Sequence, residues 1–399
     1  MKLSLLLSFL LLLCSPLEAA EKFVSASSVD EVRRQIGRLP GDDVWWTANG
    51  ADMAWNNKNL QRIFPTVPVY RQGQVRELQN RPNPAIAGFK VDTPAGKMGF
   101  RNFLDSSHST TMAVVILHRG DVVFEHYPGQ QPYEKPIYWS VTKALVATVL
   151  AILEDRGRVD VDKPIETYIR ELKDSSFAGI TVRNFLDMAS GVDCPEEYEK
   201  QDACYYVYSK TIGDGYWNAD SPDNPYTYLA QVKLKRWAEQ GTGFSYSGVN
   251  TFILSWLVEE ITGMPFQDAL TREIWRHIGA ENDAAILAPR FGVPNTHGGF
   301  MARPRDLARF GLLFTPSYRV VSDRKIISDR YLDTIINGGR PELMKNARFG
   351  SWATPGFKHN VYQWDAVWEN GDFFKGGWAG QGLLINPGRD LVAVWSGHF

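Results

Sequence analysis

The sequence predicts an α+β fold, an α/β sandwich: an antiparallel sheet assembled from both ends of the chain, packed with helices, around a mostly helical middle region. Three observations predict it. Early in the chain Ala113-Val114-Val115-Ile116-Leu117 and Val122-Val123-Phe124 flank Arg119-Gly120-Asp121, a hairpin signal. At the far end residues 380–385 and 391–395 flank Asn386-Pro387-Gly388-Arg389, a second hairpin signal. Between the two, apolar residues recur at helical rather than strand spacing.

Taken in order, residues 1–20 are a processing segment. Lys2 precedes an apolar run over 3–13, then Pro16 and the small pair Ala19-Ala20, the pattern of a secretory leader. The run is too short to span a membrane. Export to the periplasm or medium is expected; lipidation at Cys14 is the alternative, disfavoured by Leu13 before it. Residues 21–110 read as an N-terminal extension, with loop and short strand over 80–92, and residues 111–399 as the main domain. Residues 181–188 predict a short helix stopped at Ser190-Gly191. Residues 251–262 predict an amphipathic helix ended by Gly263, residues 267–278 another ended by Gly279, and residues 304–314 a third. Residues 197–228 read as a long loop carrying Tyr198, Tyr205, Tyr206, Tyr208, Tyr216, Trp217, Tyr226 and Tyr228, a lid or wall of a cleft or a small core of its own.

Composition narrows the function. A formal net charge of −2 implies no nucleic-acid or anionic-membrane partner. Outside the leader only Cys194 and Cys204 remain; in an exported protein they suggest a disulfide closing a short loop, the alternative being two buried thiols. There is no Cys-x-x-Cys, no His-Glu-x-x-His and no histidine cluster, so no metal site is expected.

The chemistry centres on Ser140-Val141-Thr142-Lys143. Serine and lysine three residues apart meet on one face of a helical turn, and the apolar run over 144–153 reads as a buried helix behind them. A lysine at the mouth of such a helix sheds hydration, which favours the neutral amine, a base for the serine proton. Alone, Ser140 could equally be a helix N-cap. A second match, Ser322-Asp323-Arg324-Lys325, lies in a charged stretch and reads as surface. Two further pieces support Ser140. Tyr246, in Phe244-Ser245-Tyr246-Ser247-Gly248, stands where a phenol can relay a proton to a leaving group. Lys375-Gly376-Gly377, read as opening the penultimate strand before Trp378-Ala379-Gly380-Gln381, offers positive charge, close backbone approach for substrate and a strand N–H for an oxyanion hole. Taken singly, Tyr246 could be an ordinary core aromatic and Lys375 a solvated turn residue.

Ser-x-x-Lys, a tyrosine loop and a Lys-x-Gly strand, in that order, resemble serine β-lactamases and penicillin-binding proteins, most of all the class C group with its esterase and amidase relatives. Leu186-Asp187-Met188-Ala189-Ser190-Gly191 and Arg305-Asp306-Leu307-Ala308-Arg309-Phe310-Gly311 are similar to framework stretches of that family. Val192, Glu197-Tyr198 and Gly380-Gln381 look most like the 6-aminohexanoate-dimer hydrolase branch. The resemblance implies Ser140 as acylated nucleophile, Lys143 as base, Tyr246 as relay, the N–H groups of Ser140 and Trp378 as oxyanion donors, and Lys375, Gly376 and Gly377 beside the substrate. It implies a serine hydrolase acting on a small amide or ester through an acyl-enzyme, with no cofactor.

Two departures matter. Gly248 stands where the family's Tyr-x-Asn has its amide, and Gly376 removes a hydroxyl that could contact a substrate carboxylate. Both argue against efficient β-lactam hydrolysis. The chain also ends soon after its last strand, where relatives usually add a helix; the N-terminal extension is a candidate cover for that face, the alternative being a truncated chain. The competing readings are a cell-wall D-peptidase and a non-catalytic binding protein that kept the fold. An α/β-hydrolase is disfavoured because Gly243-Phe244-Ser245-Tyr246-Ser247 lacks the closing glycine of a nucleophile elbow.

Overall fold

The chain is described here from a computed structural model, covering residues 49–399 apart from 95, 216, 291 and 350–353, together with 28 and 30. The leader expected over 1–20 and Tyr216 lie outside the described residues.

Helix α1 (Gly50–Asn59) precedes the first hairpin of the main sheet, β1 (Thr111–His118) and β2 (Asp121–His126). The helices α2 (Thr142–Asp155), α3 (Cys204–Ile212), α4 (Gly248–Thr262) and α5 (Pro304–Leu312) follow. Five strands end the chain: β3 (Phe357–Val361), β4 (Trp364–Trp368), β5 (Phe373–Gly377), β6 (Gln381–Asn386) and β7 (Leu391–Gly397). They join the first hairpin in one antiparallel sheet of order β3-β4-β5-β6-β7-β1-β2. The two ends of the sequence meet where Val394 pairs with Val115 and Trp395 with Val114.

Alternation along these strands gives the sheet two apolar faces. Val115, Leu117, Leu383, Ile385, Val392 and Val394 bury one face against helices. The main layer is α2, buried from Thr142 to Leu153, packed on α4, buried from Gly248 to Val258. Each such aliphatic side chain contributes about 1.5–3 kcal/mol on burial. The other face carries Val114, Phe124 and Trp395, and residues of the extension (Phe100, Phe103 and Leu104) pack over it. Residues 100–104 therefore pack on the outer face of the sheet at β7, β1 and β2.

The expected elements appear with shifted ends, and three readings need correcting. Residues 197–228 are not an open loop: α3 lies within them, and a short helix, Pro225–Gln231, begins before their end. Tyrosines are weak helix formers, so a segment this rich in them lacks the local signature; tertiary burial of Tyr205, Tyr206 and Tyr208 holds the turn sequence helical. Lys375-Gly376-Gly377 does not open the penultimate strand but closes β5, a strand hidden because β3 to β5 carry His, Asn, Asp and Lys among their apolar residues. Ser322 is buried and caps Arg324 N–H, whereas Lys325 is on the surface paired with Asp329.

Cys194 and Cys204 form a disulfide that ties the loop after Gly191 to the first residue of α3. Replacing Cys204 by serine is expected to cost about 2–4 kcal/mol in urea-unfolding free energy. Reduction of the native protein should reproduce that loss, and a curve unchanged by both treatments would show that the bond carries no stability.

Candidate active site

Ser140 lies in a 3-10 turn, Trp139–Val141, that runs straight into α2. Trp139 has φ of 47°, a left-handed conformation costing a bulky residue about 1–3 kcal/mol. Its surroundings over-determine it. The indole Nε1 donates to Asn57 Oδ1 at 3.2 Å, and its carbonyl accepts from Thr142 Oγ1 at 2.6 Å. The end of β5 passes beneath this turn: a Cβ on Gly377 would lie 2.3 Å from the Tyr138 carbonyl oxygen, so only glycine fits. Gly377 thus serves the protein's own packing while also lining the cleft beside Ser140.

Lys143 is fully buried with its Nζ 2.9 Å from each of three oxygens: Ser140 Oγ, the His297 carbonyl and Glu196 Oε1. The sequence led us to expect an amine in apolar surroundings; the structure sets a buried carboxylate against it instead. Burial works to raise the Glu196 pKa, but the charge of Lys143, with hydrogen bonds from Tyr198 and Lys143, outweighs it and holds the carboxyl below its usual range. As an ammonium, Lys143 has one proton for each oxygen. As a free amine it keeps two for the carbonyl and carboxylate and turns its lone pair to the serine hydroxyl. A proton can pass between Ser140 and Lys143 without either side chain moving.

Glu196 reaches this position because residue 248 is glycine. A Cβ there would meet Glu196 Oε1 and the His297 ring, each at 2.8 Å. The amide missing from the tyrosine motif is thereby replaced in space by a carboxylate.

Tyr246 lies between two lysines, its ring centroid 4.8 Å from Lys143 Nζ and 4.7 Å from Lys375 Nζ. Its hydroxyl is hydrogen-bonded to Ser140 and accepts from Lys375 Nζ at 2.9 Å. Burial, then the nearby Asp365 and Glu196 charges, push the phenol well above its usual pKa, so it rests protonated. Lys375 is fully buried and paired with Asp365, not solvated. Burial and Lys143 bring its pKa down to about 8 against the pull of Asp365.

Behind Lys143 sits a polar layer. The His297 ring nitrogens face Tyr205 OH at 2.9 Å and Tyr208 OH at 3.1 Å, both from α3. Burial, then Lys143, lowers the imidazole to about 3, so it is neutral between the two phenols. Asp214 approaches it at 3.5 Å; burial, then Glu196, raises this carboxyl to about 8.

Ser140, Lys143, Tyr246 and Lys375 thus gather at one point, and Ser140 and Trp378 line the same cleft of about 440 Å³. Gly376 and Gly377 lie at its wall. Glu196, Asp365, His297 and Asp214 were missed. The sequence held one signal, Asp365 inside the apolar run Trp364-Asp365-Ala366-Val367-Trp368, where a buried strand charge demands a partner. Among the described residues no helix is long and apolar enough to cross a membrane.

A family described as Beta-lactamase matches residues 100–396. The chain belongs to the beta-lactamase family. It is 30% identical over 343 residues to the 6-aminohexanoate-dimer hydrolase of Paenarthrobacter ureafaciens, covering 85% of this chain and 84% of that protein. A Providencia stuartii beta-lactamase is 21% identical over 318 residues, 76% of this chain and 75% of its own. Among solved structures, a candidate 6-aminohexanoate-dimer hydrolase from Bacillus anthracis superposes with a TM-score of 0.76 at 23% identity, covering 90% of this chain and 91% of that one. A family VIII carboxylesterase superposes at 0.56 with 15% identity, covering 75% and 89%. The hydrolases among these relatives support a serine hydrolase of amidase or esterase type.

The Asp214 carboxyl, shifted from 3.8 to about 8, makes the fold bind a proton that the unfolded chain releases. Its stabilising contribution is complete below about pH 4 and fades as pH rises through about 8. Thermal unfolding of Asp214→Asn is therefore expected to lose the decline in Tm across the upper part of that window; an unchanged slope would show that Asp214 titrates normally.

Proposed function

We propose that this protein hydrolyses acyclic amide or ester bonds through an acyl-Ser140 intermediate. The observation that carries the reading is the serine oxygen held between Lys143 Nζ at 2.9 Å and the protonated Tyr246 hydroxyl. In the form in which Lys143 is the free amine, Ser140 Oγ bonds to the substrate carbonyl carbon while its proton passes to the lone pair of Lys143 Nζ. The carbonyl oxygen takes the negative charge and is held by the backbone N–H groups of Ser140 and Trp378. Tyr246 hands a proton to the leaving amine or alcohol and is reprotonated from Lys143; Lys375 steadies the phenol oxygen during that exchange. The carbon–nitrogen or carbon–oxygen bond breaks and an ester to Ser140 remains. Water then adds by the same route, its proton restoring the serine, and the carboxylic acid leaves. No step requires a cofactor.

The relatives named 6-aminohexanoate-dimer hydrolase make linear amides the first substrates to try. The segment over 1–20 and the disulfide support export, since such bonds persist outside the reducing cytoplasm.

A fluorophosphonate is expected to add once to the native protein and not to Ser140→Ala, read by intact mass. Lys143→Met and Tyr246→Phe should each lower kcat/KM on 4-nitrophenyl esters and linear amide oligomers by roughly 10²–10⁴-fold, and Lys143→Met should also lower stability, because it leaves Glu196 buried without its partner. Labelling that survives Ser140→Ala would place the nucleophile elsewhere.

A further inference from the structure

A lysine ammonium beside a free strand-edge N–H, next to a reactive serine, is a ready cradle for a carboxylate. Here both donors are already taken. Asp365, on β4, stands across from Lys375 on β5; one carboxylate oxygen receives Lys375 Nζ and the other receives the Gly376 N–H at 2.9 Å. Asp365 itself lines the cleft and is 4% exposed. The second cation, Lys143, is likewise matched by Glu196. The two buried lysines thus each face a buried carboxylate, while burial raises the Asp214 carboxyl to about 8 and lowers the His297 imidazole to about 3. Among the described residues that line the cleft, none carries a positive charge free for a substrate anion.

Apolar surface fills the rest of that wall. A Cβ on Gly376 would lie 3.1 Å from the Phe374 ring, so this ring occupies the room beside residue 376. Phe374 stacks on Trp395 with centroids 5.6 Å apart and planes at 10°. Trp378 continues the wall, its ring 5.1 Å from that of Phe399, and both are exposed to an entering molecule.

We propose that Asp365 fills the anion cradle of the cleft from within, so that the part of the substrate lying along β5 is an uncharged, apolar chain packed on Phe374, Trp378, Trp395 and Phe399. Asp365 is a specificity residue, one that rejects substrate carboxylates by occupying their place. The inference rests on the hydrolase reading above and narrows it to neutral alkyl or aryl amides and esters. A substrate carboxylate on this wall would be desolvated without a partner and set against Asp365, a penalty that neutral chains escape.

The test compares two ethyl fluorophosphonates, one with a hexyl chain and one with a 5-carboxypentyl chain. Ser140 Oγ bonds to phosphorus, fluoride leaves, and the serine proton goes to Lys143, so the rate needs no turnover. The native protein is expected to take the hexyl probe faster by about tenfold or more, one buried unpaired charge being worth at least that. In Asp365→Asn, where the cradle has lost its own anion, the ratio should shrink or invert through faster reaction with the carboxylate probe. A merely structural aspartate would slow both probes alike. Equal rates in the native protein, or a ratio unmoved in folded Asp365→Asn, overturn the inference alone. Labelling by neither probe overturns the hydrolase reading and this inference with it. Should the variant fail to fold, the native ratio still decides.

Discussion

The structure is organised around one buried cation. Lys143 has no exposure, and the cost of burying an ammonium is met only by the three oxygens at 2.9 Å around it. Each of those oxygens requires something distant in sequence. The His297 carbonyl comes from the turn before Phe300, and Glu196 from the loop closed by the disulfide. The serine oxygen depends on a strained Trp139. Gly248 at the start of α4 leaves the space into which Glu196 fits. The tyrosines of α3 hold His297 in place by its ring while its carbonyl faces the lysine. Helix, disulfide and glycine are parts of one device for keeping a charged lysine dry and aimed.

A second device mirrors the first. Asp365 and Lys375 repeat, on the sheet side, the carboxylate–lysine pair that Glu196 and Lys143 make on the helix side. Tyr246 lies between them with a cation over its ring from each direction. Both lysines favour negative charge at the phenol oxygen, whereas burial and the two carboxylates oppose it. The balance leaves a neutral phenol, and a transient negative charge there during proton relay meets cations already in place. A site built this way moves protons among its own groups and keeps its net charge near zero. It therefore recruits substrate by fit to apolar walls and not by electrostatic attraction.

Much of this was legible in the sequence, and the reason some was not is physical. The serine, lysine and tyrosine sit in local patterns, a turn into an apolar helix and a loop before another, and such patterns survive in one dimension. The sheet's two hairpins carry alternating valines and were readable for the same reason. Glu196 and Asp365 belong to no local pattern: each matters through a partner across the fold, Lys143 from 53 residues earlier and Lys375 from 10 later. Asp365 left a trace as a lone charge in an apolar strand, while Glu196 stands beside Glu197 with nothing local to separate them. The helix α3 was hidden because its helicity comes from burying tyrosines, a tertiary gain that overrides weak local preference.

The N-terminal extension also enters the active site, though it supplies no reacting group. The carbonyl of Asn57 in α1 accepts the Ile137 N–H at 2.7 Å; its side-chain oxygen accepts the Trp139 indole at 3.2 Å, and its amide donates to the Gly397 carbonyl at 3.0 Å. One buried asparagine therefore joins the last strand of the sheet to the residues just before Ser140. Those are the places where strain must be held: Trp139 sits at φ of 47°, and Gly377 passes closely under Tyr138. Helix α1 lies ahead of the family match, which begins at residue 100. The serine is thus positioned partly by a segment ahead of the residues that the family match spans, through a clamp on the turn before Lys143 that the Ser-x-x-Lys, tyrosine and Lys-x-Gly motifs do not contain.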